Sequence, residues 1–351
     1  MFHWNNNYLC TALQDAGNMN NSILITGASG FIGSFIVEEA RRRNMEVWAA
    51  VRPTSSRRYL TDARIHFIEL DFSSSERLQK QMAGHSFDYI VHAAGVTKCL
   101  HTADFERVNT EGTRHLAEAI QTLKMPIKRF VYLSSLSVFG AIKEQMPYEE
   151  ITENDHPKPN TAYGKSKLKA EECLDSAEYG FPYIVLRPTG VYGPRERDYF
   201  LMAKSIQNHL DFAVGYRRQD ITFVYVKDVV QAVFLALDHG KSGRKYFLSD
   251  GQVYQSSTFS NLIHNEIGRP WWLRITAPVW LLRIVTFFGE QWGHLTGRMT
   301  ALNNDKYNIL KQRNWRCDIE PAVDELGFHP QYTLEQGVKE TVAWYKDNHW
   351  L

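Results

Sequence analysis

Thr26-Gly27-Ala28-Ser29-Gly30-Phe31-Ile32-Gly33 is the stretch that decides the fold. The apolar run before it, Ser22-Ile23-Leu24-Ile25, has the length and character of a buried parallel strand. The residues after it, Phe31 to Arg43, read as a helix. In such a strand–turn–helix unit each glycine has its own task. Gly27 lets the chain turn sharply, Gly30 clears space for backbone to approach a pyrophosphate, and Gly33 lets the helix pack against the strand. The helix then points its free N–H groups and positive dipole end at the phosphates. A tight strand–helix turn with no ligand would look similar, so the rest of the chain has to choose between the two.

The second strand, Glu46-Val47-Trp48-Ala49-Ala50-Val51-Arg52, ends about twenty residues beyond the turn, where an Asp or Glu would hold the adenosine ribose hydroxyls. Val51 stands there instead, followed by Arg52. A missing carboxylate beside a guanidinium suits a 2′-phosphate better than a free 2′-hydroxyl. Arg57 and Arg58 are further candidates for the same task, unless all three are solvated loop charges. NADP is therefore the preferred cofactor, with NAD the alternative.

Strands and helices continue to alternate. Ile65 to Leu70 ends at Asp71-Phe72; Tyr89 to His92 ends at Ala93-Ala94-Gly95; Phe130 to Leu133 ends at Ser134-Ser135; Ile184 to Leu186 precedes Arg187-Pro188. Helical patterns separate them, among them Asn109 to Leu123. This alternation predicts an α/β fold, a Rossmann-type doubly wound parallel sheet with a smaller C-terminal lobe. Ligands of such sheets bind outside the carboxyl ends of the strands. Asp71, Ala93-Ala94-Gly95, Ser135 and Pro188 all fall at such ends and can converge on one crevice.

Downstream of the turn, Tyr163 and Lys167 stand four residues apart, on one face of a helix. Alone, Tyr-x-x-x-Lys is an ordinary helix face. After the glycine turn and the serine strand it supplies the other half of a reaction: a phenol that moves a proton while a dinucleotide moves a hydride.

Together these motifs resemble the extended short-chain dehydrogenase/reductase superfamily, which includes nucleotide-sugar epimerases and dehydratases, dihydroflavonol-type reductases and 3β-hydroxysteroid dehydrogenases. The resemblance rests on the glycine turn, Asp71-Phe72, His92-Ala93-Ala94-Gly95, Val108-Asn109-Thr110-Glu111-Gly112-Thr113, Ser134 to Gly140, Tyr163-Gly164-Lys165-Ser166-Lys167, and Leu186 to Arg195. It spans roughly residues 20 to 345 and is more specific for the superfamily than for the substrate. It implies that Tyr163 is the general acid/base and that Lys167 lowers its pKa and holds the nicotinamide ribose. Ser135 would orient the substrate oxygen, Asn109 would lie on the helix supporting the site, and Asp71 would contact the adenine. The implied cofactor set is Gly27, Gly30, Phe31, Ile32, Gly33, Arg52, Asp71, Phe72, Ala93, Ala94, Gly95, Tyr163, Lys167 and Pro188. Thr97, Ser137, Tyr192 and Arg195 are expected to touch the substrate. A tyrosine near pKa ~10 needs help to act as a base at neutral pH, and a nearby ammonium together with the positive nicotinamide ring would provide it.

The chain has 351 residues, enough for one large α/β domain with a smaller lobe. A net charge of +1 gives no electrostatic reason to expect nucleic acid. Cys10, Cys99, Cys173 and Cys317 have no spacing for a metal or a disulfide framework, and the thirteen histidines form no ligand pattern, so no metal is expected. This cysteine usage fits a reducing cytoplasm. Residues 1–18 are polar without an apolar h-region, unlike a signal peptide; they are expected to be a disordered extension, or to precede a start at Met19. The dinucleotide-binding core is placed at 19–190 and the substrate lobe mainly at 191–351, with returns to the sheet.

Two departures bear on the substrate. Nucleotide-sugar members carry an Arg–Asp pair shortly before a strand ending in valine, any residue, aspartate; the arginine holds the diphosphate. Here the stretch is Ile221-Thr222-Phe223-Val224-Tyr225-Val226-Lys227-Asp228, with Ile221 in the arginine's place and Arg217 and Arg218 just upstream. The second is the aromatic run from Pro270 to Gly289, expected to form a helix of about ten residues after Pro278, too short to cross a bilayer. It could line an apolar pocket, lie on a membrane surface through 278–289, form a dimer face, or be lobe core. A homodimer acting on a small molecule is expected. The leading reading is an oxidoreductase that interconverts hydroxyl and ketone on a largely apolar, steroid-like or flavonoid-like body. A nucleotide-sugar epimerase or dehydratase with internally recycled cofactor is the alternative.

Overall fold

The protein was analysed as a computed structural model, which describes residues 21–176, 179–268, 271–296 and 303–351. The expected extension 1–18, Met19, Cys10 and Pro270 lie outside the described residues.

In chain order the elements are β1 (Ser22–Thr26), α1 (Phe31–Arg42), β2 (Glu46–Val51), β3 (His66–Glu69), α2 (Ser75–Met82), β4 (Tyr89–His92) and α3 (Thr102–Phe105). After a π-helical turn, Glu106–Glu111, come α4 (Gly112–Thr122), β5 (Arg129–Leu133), a 3₁₀ turn (Leu136–Val138), α5 (Ala162–Ser176) and β6 (Tyr183–Pro188). The second half holds β7 (Gly190–Tyr192), α6 (Asp198–Gln207), β8 (Leu210–Val214), β9 (Asp220–Ile221), β10 (Phe223–Tyr225), α7 (Val226–His239) and β11 (Lys245–Leu248). It closes with β12 (Tyr254–Gln255), α8 (Ser256–Ile267), β13 (Leu273–Ala277), α9 (Val279–Thr296), α10 (Asn304–Lys311), α11 (Glu320–Leu326) and α12 (Leu334–Asp347).

Seven strands form a parallel sheet in the order β11-β6-β5-β4-β1-β2-β3. The order reverses between β1 and β4, the switch point at which such sheets open a ligand crevice. Period-two alternation divides β1 between two cores. Ile23 and Ile25 enter the layer under α1 and α7; Leu24 enters the layer under α2, α4 and α5. A third core of Tyr192, Phe223, Tyr225, Phe259, Val338 and Tyr345 builds the smaller lobe. That lobe does not occupy a single run of chain. β11 completes the sheet, and Leu326 and Phe328 are buried in the first core.

The aromatic run departs from the expected short helix. Its first part is strand β13, paired in parallel with β8, and α9 continues through Gly289 to Thr296. A glycine costs a helix only about 1 kcal/mol against alanine, so Gly289 did not stop it.

Candidate active site

The glycine turn is as tight as its spacing demands. Gly27 has φ +68°, and a Cβ there would stand 2.7 Å from the backbone of Ala93 and Ala94. A Cβ on Gly33 would lie 2.1 Å from the Gly27 carbonyl oxygen. β1, its turn and the end of β4 are therefore pressed together in a way only glycine permits. The first-turn amides of α1 face the crevice that this packing leaves, an arrangement that fits a pyrophosphate.

Above the turn lies a cavity of about 850 Å³. Gly27, Gly30, Phe31, Ile32, Gly33, Arg52, Phe72, Ala93, Ala94, Gly95 and Pro188 line it, as do Thr97, Ser135, Ser137 and Tyr163. The structure thus brings most of the sequence-predicted site residues to one space. Ser55, which sequence reasoning missed, joins Arg52 at the cavity wall and accepts a hydrogen bond from the Arg52 amide at 3.0 Å. Arg57 and Arg58 do not line the cavity; they stack on Phe67 and Tyr59.

Three expected contacts are corrected. Tyr192 is 1 % exposed and absent from the cavity wall. Val191 faces the cavity, so period two turns Tyr192 the other way, into the third core. Arg195 is drawn away by α1: its guanidinium donates to Ser34 Oγ at 2.9 Å and pairs with Glu38, between the rings of Phe35 and Tyr59. Asp71 also turns aside. Its carboxylate pairs with Arg77, which holds its pKa down at about 2, and only its neighbours Leu70 and Phe72 reach the cavity.

Asn109 lies behind the wall as a positioning residue. Its side chain accepts from the Val96 amide at 2.8 Å and donates to the Val96 carbonyl and to Ser166 Oγ. It therefore ties the loop after β4 to α5, from within the π-helical turn, a deviation often found at functional sites. His92 is fixed next to it. The Thr113 hydroxyl donates to the Asn109 carbonyl, so it accepts from His92 Nε2, and Nδ1 accepts from Thr26. The Thr26 oxygen accepts in turn from the Ala94 amide. Burial, and then the charge of Lys167, push His92 down to about 3, so it stays neutral and structural.

Tyr163, the expected acid/base, stands at the start of α5. Thr161 Oγ1 accepts from the Gly164 amide at 2.9 Å, and Asp305 of α10 accepts from the amides of Ala162 and Tyr163 at 2.9 and 3.1 Å. The Ser135 hydroxyl donates to Ser137 Oγ at 3.1 Å. Burial raises the Tyr163 phenol to about 12, against a downward pull from neighbouring Ser135. The expected lowering by Lys167 is not a property of the protein alone. The Lys167 ammonium is buried, donates to the Leu133 carbonyl at 2.7 Å and lies over the Tyr132 ring. Its desolvation drops its own pKa to about 8, against an upward pull from Glu171. Glu171, buried one turn further along α5, is held by Arg187 at 2.5 Å and accepts from Ser134. This buried set joins α5 to the ends of β5 and β6.

The far half of the cavity is walled by Phe212, Val214, Ile221, Phe223, Phe259 and Leu310. Its cations are Arg274 and Lys306, neither assigned a role from sequence. Arg274 pairs with Asp211 at 2.6 Å, and Lys306 lies 3.7 Å from Asp198. No local motif marks either of them, because both reach the cavity only through lobe packing. Arg217 and Arg218 do not line it; Arg218 pairs with Asp220.

A model of the NAD dependent epimerase/dehydratase family matches residues 23–249. The chain is 26 % identical over 338 residues to a UDP-glucose 4-epimerase of Vibrio cholerae, covering 92 % of this chain and 95 % of that protein. It is equally, 26 %, identical over 352 residues to a 3-beta-hydroxysteroid dehydrogenase of Mycolicibacterium neoaurum, covering 93 % and 91 %. In fold it is similar to the crystal structure of a dTDP-glucose 4,6-dehydratase of Streptomyces venezuelae with NAD bound, at a TM-score of 0.76 and 21 % identity, covering 93 % of this chain and 98 % of that one.

Proposed function

Because the chain belongs to the NAD dependent epimerase/dehydratase family, an enzyme family of the extended short-chain type, we propose that it interconverts a hydroxyl and a ketone on a largely apolar molecule, steroid-like or flavonoid-like. NADP(H) is the preferred cofactor and the working unit is a homodimer. The observation that carries the substrate half is the far wall of the cavity. Ile221 stands where a diphosphate-binding arginine would be needed, and Arg274 and Lys306 already have carboxylates beside them. An apolar body gains about 25 cal/mol for each Å² it buries on such a wall. A diphosphate would have to compete for cations already engaged.

The dinucleotide supplies or accepts the hydride. This chain's residues do the rest. The glycine turn and the α1 amides hold the pyrophosphate, and Arg52 with Ser55 receives a 2′-phosphate. Ser135 orients the substrate oxygen. Tyr163, protonated at neutral pH, gives its proton to that oxygen as a ketone is reduced, and the Ser135 hydroxyl supports the phenolate left behind. Lys167 keeps a positive charge beneath the site below about pH 8.

The UDP-glucose 4-epimerase relative favours a second reading, in which a nucleotide sugar is oxidised and reduced by one retained dinucleotide. A screen that follows NADPH absorbance over steroid ketones, flavonoid ketones and sugar nucleotides separates the two. Turnover of an apolar ketone with freely exchanging NADPH is expected. Inhibition by UDP that is lost in Arg274→Ala, with a dinucleotide that stays bound through purification, would overturn the apolar reading.

A further inference from the structure

Over its described side chains, Val279 to Gln291, helix α9 is attached by a narrow strip. Leu282 and Thr286, one turn apart, are buried, whereas Trp280, Leu281, Ile284, Val285, Phe287 and Phe288 are 38–66 % exposed. The ribbon of β8 and β13 leads into α9 and adds to this surface. Asp211 and Arg274 pair on one face of the ribbon, and Phe212, Leu273 and Ile275 stand exposed on the other. A continuous exposed apolar surface of this kind marks an interaction site.

The surrounding charges select the occupant. Arg283 projects from α9 itself. Arg217, Lys311 and Arg313 gather near its N-terminal end. There the Gly215 amide donates to Ala277, the Tyr216 hydroxyl donates to Thr276, and Arg313 packs on Gly215 and donates to the Arg217 carbonyl. Lys311 ends α10, which packs against α9, and lies over the Tyr307 ring. None of these four cations has a carboxylate partner among the described residues, although most arginines elsewhere in the molecule are ion-paired. The acids close by are Glu144, which accepts the Arg313 backbone amide, Glu290 on α9, and the buried Asp220, whose amide donates to the Arg313 carbonyl and whose carboxylate is already held by Arg218 and Arg316. Tyr216 and Trp280, both largely exposed, add the amphipathic rings that settle at a lipid headgroup layer. A two-fold contact would set this patch against a second copy of itself, on which unpaired cations again outnumber the free acids. An anionic lipid surface complements them, and no described helix is long and apolar enough to cross a bilayer, so α9 would lie along the surface.

We propose that α9 and the β8–β13 ribbon dock this enzyme on an anionic lipid surface, and that its substrate reaches the cavity from there past Phe212. Phe212 is both 61 % exposed and part of the cavity wall. The docking stands on the surface alone; the access route rests also on the apolar-substrate reading.

The full chain is tested by co-sedimentation with vesicles of phosphatidylcholine alone and of phosphatidylcholine mixed with phosphatidylglycerol. Binding to the mixed vesicles is expected, weaker at high salt. It should fall about fivefold for each of Arg217→Gln, Arg283→Gln and Arg313→Gln. The combined Trp280→Ser, Phe287→Ser, Phe288→Ser variant should lose vesicle binding yet reduce a water-soluble ketone with NADPH as the parent does. Three results overturn the docking: no co-sedimentation at low salt, binding unaffected by the triple substitution, or a solution dimer that the triple substitution converts to monomer. Failure of docking alone leaves NADPH turnover of apolar ketones intact. Failure of the substrate reading alone removes that turnover and leaves vesicle binding intact.

Discussion

Tyr163 and Lys167 are each displaced from their ordinary acidity by burial, in opposite chemical senses: the phenol is held neutral and the ammonium is made easier to lose. Tyr163→Phe removes the titrating hydroxyl and keeps the ring, so turnover should fall by roughly 10²–10⁴ while dinucleotide affinity holds. Near-normal turnover would remove Tyr163 from its role. Lys167 yields a sharper test because activity and stability should move oppositely. Its folded pKa of about 8 lies below the ordinary 10.5, so the unfolded chain holds that proton more tightly. Stability should therefore rise between about pH 8 and 10.5, as the cost of burying a charge disappears. Activity that needs the ammonium should fall through the same window. Lys167→Met should flatten both, measured by urea midpoints and by kcat/KM against pH. These residues were legible because their spacing is local. Glu171 and Arg274 were not, since each acquires its task from a partner distant in sequence; Ser55 was not, because a serine three residues after Arg52 reads as an ordinary loop residue.

At the scale of elements, β2 and its following loop are where the proposed cofactor preference is tested. The strand ends at Val51 with no carboxylate for a ribose diol, and Arg52 and Ser55 lie together at the cavity wall. Among the described residues Arg52 has no ion-pair partner, so a 2′-phosphate would find it free. NADPH should bind more tightly than NADH in a fluorescence titration, and Val51→Asp should reverse the order by placing a like charge against the phosphate. Equal affinities in the parent protein would sink the preference. The strands were readable from short apolar runs that stop at turn residues. The errors came where one residue decides a face: β7 is three residues long, and alternation within it separates Val191, at the cavity, from Tyr192, in the core. The aromatic run misled for a different reason. Composition says that Trp271 to Phe288 is apolar, but only pairing with β8 makes its first part a strand.

Across the whole molecule distant stretches of the chain are tied by contacts that no local pattern announces. Glu325 of α11 pairs with Arg244, the Asp228 carboxylate accepts from the amides of Gln331 and Tyr332, and Asp305 reaches from α10 to the start of α5. The doubly wound order was legible because each strand–helix unit repeats the same pattern; the interleaving was not, because it depends on where a returning chain finds an unpaired group. Asp305 is where such a contact reaches the candidate site. It satisfies two N–H groups that helix geometry leaves open, at the helix carrying both Tyr163 and Lys167. Asp305→Ala should cost about 0.5–2 kcal/mol, the usual range for losing a helix N-cap, since Thr161 still holds the Gly164 amide. The same change loosens the start of α5 beside Tyr163. It should therefore lower kcat more than it weakens dinucleotide binding, and Asp305→Asn, which keeps one acceptor oxygen, should recover much of the loss. Urea unfolding gives the first quantity and single-turnover kinetics the second. A stability loss with unchanged kcat would make Asp305 a structural clasp only.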